Sequence, residues 1–327
     1  PKEESTMKKI MTRLLSLVLL GTFIPSFVLA ADWDLDKGSI TVSATVESQT
    51  VSQAGGSPTV DNNPVITSSG TTNNTVTITA EKNATANVTL ENVNIDTGTT
   101  GGAAITTSGE GNVNIELDGT NTVQSGNTHA GVEKKDNGTL TITDENKDGS
   151  LTATGGKWAA GIGGGDGGSG SNITIKGGKV TAQGGTWGAG IGGGSDGSGS
   201  TINIENGKVT ATGGNRGAGI GGGNGGSGSN ITISGGEVTA QGSDGGAGIG
   251  GGQGGSGSNI TISDGKVTAT GAGAGAGIGG GYEGSGKGIT IEGGEVTAQG
   301  DHGGAGIGGG ISGTGSDVTI SGDAQVK

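Results

Sequence analysis

Apolar and polar residues alternate in short bursts along most of this chain. Between residues 156 and 320 the bursts recur as three triplets in every 29-residue unit. In the first unit they are Ala160-Gly161-Ile162, Ile173-Thr174-Ile175 and Val180-Thr181-Ala182. A strand has period two, so the first and third residues of a triplet face one way and the middle residue the other. Two inward residues from each of three strands predict six apolar side chains inside every unit. Glycine- and serine-rich stretches between the triplets read as turns. Each unit is then one coil, and successive coils stack as parallel strands about 4.8 Å apart. The predicted fold is all-β, a three-sided parallel β-helix or solenoid, right-handed by the rule for parallel crossovers.

One hexapeptide fixes the period. Ala160-Gly161-Ile162-Gly163-Gly164-Gly165 returns so that its isoleucine falls at 162, 191, 220, 249, 278 and 307, always 29 residues on. Self-similarity at such a period is the mark of a solenoid. Ser169-Gly170, Ser198-Gly199, Ser227-Gly228, Ser256-Gly257 and Ser285-Gly286 share one turn position in successive coils. A corner with positive φ would explain glycine there.

Before residue 156 the pattern loosens. Val76-Thr77-Ile78, Val88-Thr89-Leu90, Val93-Asn94-Ile95, Val113-Asn114-Ile115 and Leu140-Thr141-Ile142 are short alternating strands. Residues 71–155 therefore read as degenerate coils, with Asp144 to Asp148 as a loop insertion, and 156–327 as regular coils. Residues 31–70 are irregular apart from the alternating run Ile40 to Val46, with Pro58 and Pro64 as punctuation. A solenoid needs its open end covered, so this stretch is assigned as an N-terminal cap.

The termini add processing signals. Met7 is the expected start, which makes residues 1–6 upstream translation. Lys8, Lys9 and Arg13 precede an apolar run from Leu14 to Leu20, and Val28-Leu29-Ala30 offers a cleavage site. Residues 1–30 thus read as upstream residues plus a secretory signal peptide. Lys327 falls in what reads as the third strand of an unfinished coil. The expectation is a truncated C-terminus, with surface attachment through a missing region, or an end where another protomer stacks.

Charge and composition narrow the function. Removing Lys2, Lys8, Lys9, Arg13, Glu3 and Glu4 with residues 1–30 leaves 13 basic against 28 acidic residues, a net of −15. Nucleic acid, whose phosphates need clustered Lys and Arg, is disfavoured as a partner. There is no cysteine, so disulfides and thiolate metal sites are excluded. No stretch after the signal peptide has the roughly 20 consecutive apolar residues a membrane helix needs. Glycine is 81 of 327 residues, which elsewhere signals low complexity. The strict alternation inside each repeat argues for order here instead.

Candidate chemistry is sparse. Beyond the signal peptide the chain has one arginine, Arg216, and two histidines, His129 and His302, with no visible cluster of catalytic aspartates. It is read as a non-enzyme. Gly163-Gly164-Gly165-Asp166-Gly167 has the look of a calcium-binding repeat, but its aspartate column continues as Ser195, Asn224, Gln253, Tyr282 and Ile311. Those are not successive hard-cation ligands, so no metal or cofactor is assigned and calcium is kept as a weak alternative. Asn172, Asn230 and Asn259 begin Asn-x-Thr sequons, which read as a polar residue entering each strand. Thr181, Thr210, Thr239, Thr268 and Thr297 form an outward ladder, the basis of an ice-binding alternative. Only Thr212 and Thr270 extend it, alternating with Gln183, Gln241 and Gln299. The most informative column is Trp158, Trp187 and Arg216, spaced by 29 and flanked by Lys157, Thr186 and Asn215. Flat aromatic faces beside hydrogen-bonding groups suit sugar rings. The competing explanation is mutual stacking over a coil edge.

The succession of Ala-Gly-Ile-Gly-Gly-Gly, Asn-Ile-Thr-Ile and Val-Thr-Ala-Thr or Val-Thr-Ala-Gln resembles a family of secreted bacterial repeat proteins. These are carbohydrate-binding or adhesin-like surface proteins of gut-type bacteria. The resemblance covers roughly residues 75–320. It implies a β-helix and a secreted or cell-surface protein that binds polysaccharide or host glycans without catalysis. The alternative is a structural stalk or matrix protein that displays other domains. End-to-end self-association is a further expectation.

Overall fold

The computed structural model describes residues 32–135 and 137–327; the signal peptide assigned to residues 1–30 lies outside the described residues. Every regular coil contributes one strand to each of three parallel sheets. In the first regular coil these are Ile162–Gly163, Gly170–Ile175 and Lys179–Gln183. They form the short-strand, long-strand and threonine sheets respectively. Stacking is in register: Ile162 lies beside Ile191, Ile175 beside Ile204, and Thr181 beside Thr210. The same pairing runs back through the degenerate coils. Val132, Leu140 and Leu151 sit directly beside Ile162, Ile173 and Val180.

The interior is one continuous apolar column. Ile162, Ile173, Ile175, Val180 and Ala182 all belong to it, as do Ile191, Ile202, Ile204, Val209 and Ala211 one coil on. Six inward residues per coil were expected, and five reach this column. The sixth, Ala160, is fully buried in a separate small cluster with Ala130 and Ala159. The strand proper starts only at Ile162. Ala160 still belongs to the turn, where its N–H donates to Gly164 O at 2.9 Å. Its side chain therefore packs with Ala130 and Ala159, outside the main column.

Glycine at the Ser-Gly corners also has a different cause from the one expected. Gly199 does not adopt positive φ. A Cβ on it would lie 2.2 Å from Gly221 O in the next coil, so the constraint is close approach of two backbones. Positive φ falls instead at the glycine after each isoleucine, such as Gly221 at +133°. That kink carries the chain out of the two-residue strand. The serines have their own task. Ser198 N–H donates to Ser169 Oγ at 3.3 Å, Ser227 N–H to Ser198 Oγ at 3.2 Å, and Ser256 N–H to Ser227 Oγ at 3.2 Å. The hydroxyls thus replace a strand ladder where the chain is turning.

The Asn-x-Thr asparagines sit inside the long strands at a bulge. Pairing jumps from Ser171–Ser200 to Ile173–Ile202, skipping Asn172 and Thr201. Asn172, Asn230 and Asn259 take φ of 55°, 52° and 51°. Asparagine tolerates that left-handed region better than other side chains, and Asn259 Nδ2 also donates to Asn230 Oδ1 at 3.2 Å. Thr201, β-branched, occupies the same bulge at φ 52°.

At the N-terminal end the parallel order stops. Ile40–Ala44 pairs in parallel with Val76–Ala80 on one side and antiparallel with Gln49–Gln53 on the other. Thr59–Val60 continues that antiparallel ribbon. Asp32–Asp34 lies parallel to Val65–Thr67 at the edge of the long-strand sheet, and Trp33 packs on the end of the core. The Gln49 side chain completes the neighbouring strand edge. It accepts from Asn87 N–H at 2.8 Å and donates to Asn87 O at 2.9 Å, as a peptide group would. At the other end Val318 and Ile320 are 41% and 52% exposed.

Two substitutions test this geometry. Ile233 is fully buried and Thr232, one residue away, faces outward. Ile233→Asp is expected to unfold the solenoid locally or lower its melting temperature sharply, because a buried unpaired charge costs several kcal/mol. Thr232→Asp should cost under about 1 kcal/mol. Equal shifts for the two in thermal melts would contradict the in–out assignment. Thr201→Asn should raise stability by about 1 kcal/mol by relieving a β-branched residue from left-handed backbone. A neutral or lower melting midpoint would show that the bulge is unstrained.

Candidate functional site

The aromatic column lies on the turn that leads from the threonine sheet into the short-strand sheet. Backbone hydrogen bonds fix its order. Ser195 N–H donates to Trp158 O, Asn224 N–H to Trp187 O, and Gln253 N–H to Arg216 O, each at 2.8 Å. The three column residues therefore stack one coil apart. Trp158 and Trp187 are half-buried, and Lys157, Thr186, Asn215 and Arg216 on the same turns are exposed. The ring centroids are 6.2 Å apart with planes tilted by 32°. The Lys157 ammonium stands 4.9 Å from the centre of the Trp158 ring, a cation–π contact. The indole nitrogen of Trp158 is buried with no hydrogen-bond partner among the described residues. A buried indole N–H ordinarily finds one, so this residue is held in place at some cost.

The turn changes hand within this column. Trp158 N–H and Trp187 N–H donate to Asn127 O and Lys157 O in the preceding coil. Arg216 N–H donates instead to Ser243 O in the following coil, and Arg216 adopts φ 69°. Beyond it the column shrinks to Gly245 and Ala274, and bulk moves to the adjacent column. Gln253 covers the space beside Gly245, with side-chain atoms 3.2 Å from where a Cβ would be, and Tyr282 follows one coil on. The aromatic pair is thus confined to the first two regular coils.

A second feature was not anticipated. Val132 sits beside Ile162 and Glu133 beside Gly163. From Val132 to Leu140 the chain takes eight steps, where Ile162 to Ile173 takes eleven. The shorter turn leaves a cleft of about 550 Å³ under the glycine-rich turn of the next coil. Glu133, with its side chain only 3% exposed, anchors the cleft. Lys135 Nζ is 2.7 Å from one of its carboxylate oxygens, and His129 Nδ1 is 2.6 Å from the other. The signal was present in the sequence as Glu133-Lys134-Lys135 standing in place of three glycines. It goes unnoticed when degenerate coils are read only for their apolar triplets.

The remaining candidates are isolated. Exposed His302 pairs with Asp301 at 2.7 Å, and this hydrogen bond, helped by the Gly273 N–H, holds the Asp301 carboxyl below its usual range. The threonine ladder from Thr181 to Thr297 is in register, and its second column alternates glutamine with threonine. No helix among the described residues is long and apolar enough to cross a membrane.

Three sheets of stacked parallel strands around one apolar column define a parallel β-solenoid. A family model described as a beta helix repeat matches residues 147–166, 173–195, 202–224, 231–253, 260–282 and 289–311. The chain is a β-helix repeat protein. No curated protein and no solved structure matched it.

Among the described residues no three His, Cys, Asp or Glu side chains converge as cation ligands. Adding EDTA is therefore expected to leave the melting temperature unchanged. A marked drop would reveal a structural calcium ion.

Proposed function

We propose that this chain is a non-catalytic, secreted or cell-surface β-solenoid that binds polysaccharide or host glycans through Trp158 and Trp187. One observation carries the reading. The turn column bears two large, half-exposed indoles where the coils further along carry glycine and alanine at the same place. A solenoid does not need bulk there to fold. Aromatic faces offer apolar area at low entropic cost, which suits the C–H face of a sugar ring. Lys157, Thr186, Asn215 and Arg216 on the same turns bring donors that hydroxyl groups can use.

A structural repeat protein is the second reading. It is favoured by the contact between the two indoles and by the Lys157 ammonium already placed over one of them. Both are what simple covering of a coil edge would produce. The double substitution Trp158→Ala with Trp187→Ala separates the two. On a glycan array or by affinity electrophoresis in polysaccharide gels, binding is expected to disappear while circular dichroism keeps its β spectrum. Loss of thermal stability with no glycan bound by the wild type would favour the structural reading.

A further inference from the structure

Three Asn-Gly pairs occur in the chain: Asn137-Gly138, Asn206-Gly207 and Asn224-Gly225. An asparagine followed by glycine can react with its own backbone, because no Cβ shields the next nitrogen. Asn172, Asn230 and Asn259 are protected, each being followed by isoleucine, whose branched side chain crowds that nitrogen. Asn137-Gly138 adjoins residue 136, which lies outside the described residues. Asn206 and Asn224 stand in fully described turns and differ in what holds them.

Asn224 is half-buried, and Gly225 N–H donates to Gln253 O in the next coil at 2.8 Å. That N–H is committed to the neighbouring coil. Asn206 lies in the corner between the long strand Gly199–Ile204 and the threonine-sheet strand Lys208–Thr212. It is exposed, and Gly207 N–H has no acceptor among the described residues.

The same corner two coils on holds Asp264-Gly265. Ile204 stacks in register with Ile233 and Ile262, and Lys208 with Glu237 and Lys266. The backbone matches as well, with φ of 99° at Gly207 and 100° at Gly265. There Asp264 Oδ1 accepts from Gly265 N–H at 2.7 Å. A side chain of this length in this corner thus folds back onto the nitrogen that follows it. Asparagine has the same length, and its amide carbon is a better electrophile than a charged carboxylate.

We infer that Asn206 is a self-modification site, at which the Gly207 backbone nitrogen converts the side-chain amide to aspartate and isoaspartate. Hydroxide removes the Gly207 N–H proton, and the nitrogen attacks Asn206 Cγ. A C–N bond forms, the Cγ–Nδ2 bond breaks, and Nδ2 takes a proton from water and leaves as ammonia. Water then opens the resulting succinimide at either carbonyl. Opening at the former side-chain carbonyl gives aspartate. Opening at the main-chain carbonyl gives isoaspartate, with the chain rerouted through Cβ and Cγ. Nothing is oxidised or reduced. Aspartate is compatible with the corner, since Asp264 occupies the same place. Isoaspartate lengthens a segment fixed at both ends, by Glu205 N–H to Ile175 O at 2.8 Å and by Lys208 N–H to Gly178 O at 2.9 Å.

The full chain is aged in mildly alkaline buffer and digested, and its peptides are followed by mass spectrometry, with isoaspartate distinguished by fragmentation. The Asn206 peptide is expected to convert at least about tenfold faster than the Asn224 peptide, the advantage of a near-attack arrangement over a misdirected one. In urea, which undoes both turns, the two rates should converge. Equal or absent conversion at the two sites of the folded chain, or faster conversion at Asn224, overturns the inference. So does a difference that persists unchanged in urea, which would place the cause in the neighbouring sequence and not in the corner.

Discussion

Everything in this molecule depends on backbone stacking at a fixed rise. Each coil must hydrogen-bond to the coils before and after it through strands about 4.8 Å apart, so in the regular coils every residue sits over its counterpart 29 residues away. Side chains are thereby forced into columns, and a residue is acceptable only if it stacks on its neighbours. Isoleucine columns fill the axis, and serine hydroxyls bridge the corners. Where stacked turns bring backbones within reach of one another, only glycine fits. The abundance of glycine is a steric consequence of stacking and does not mark low complexity.

The same constraint limits where function can reside. Inside the column there is no room, and on the sheets each outward position is shared by a long ladder of similar residues. Departures from the repeat are therefore informative. The tryptophans depart by size, at a turn column that otherwise tapers to Gly245 and Ala274. Glu133 departs by charge, in a turn three residues shorter than that of the next coil. Both departures fall at the junction between degenerate and regular coils.

Hydrogen bonding at the ends follows from the same rule. A parallel stack leaves unpaired strand edges, which are prone to further pairing. The antiparallel ribbon from Ile40 to Val60 covers one edge of the N-terminal end, and the Gln49 amide imitates a strand against Asn87. Both devices satisfy backbone groups that no further coil among the described residues provides for.

The sequence by itself determined the architecture. Period 29 and the apolar–polar–apolar triplets were enough to place Ile173, Ile175 and Val180 inward and Thr181 outward, because strand alternation is local and repetition removes ambiguity; Thr174, read as outward, is buried at 6% exposure. It also aligned Trp158, Trp187 and Arg216 in one column. It did not reveal that Ala160 would leave the main core or that the Ser-Gly corner is governed by close approach. Nor did it reveal that Lys157 would lie over Trp158, or that a missing stretch of turn would open a cleft around Glu133. Those outcomes depend on distances between turns of different coils. Turn paths are set by φ values and by contacts across 29 residues, neither of which local alternation encodes. Only the stacked structure decided them.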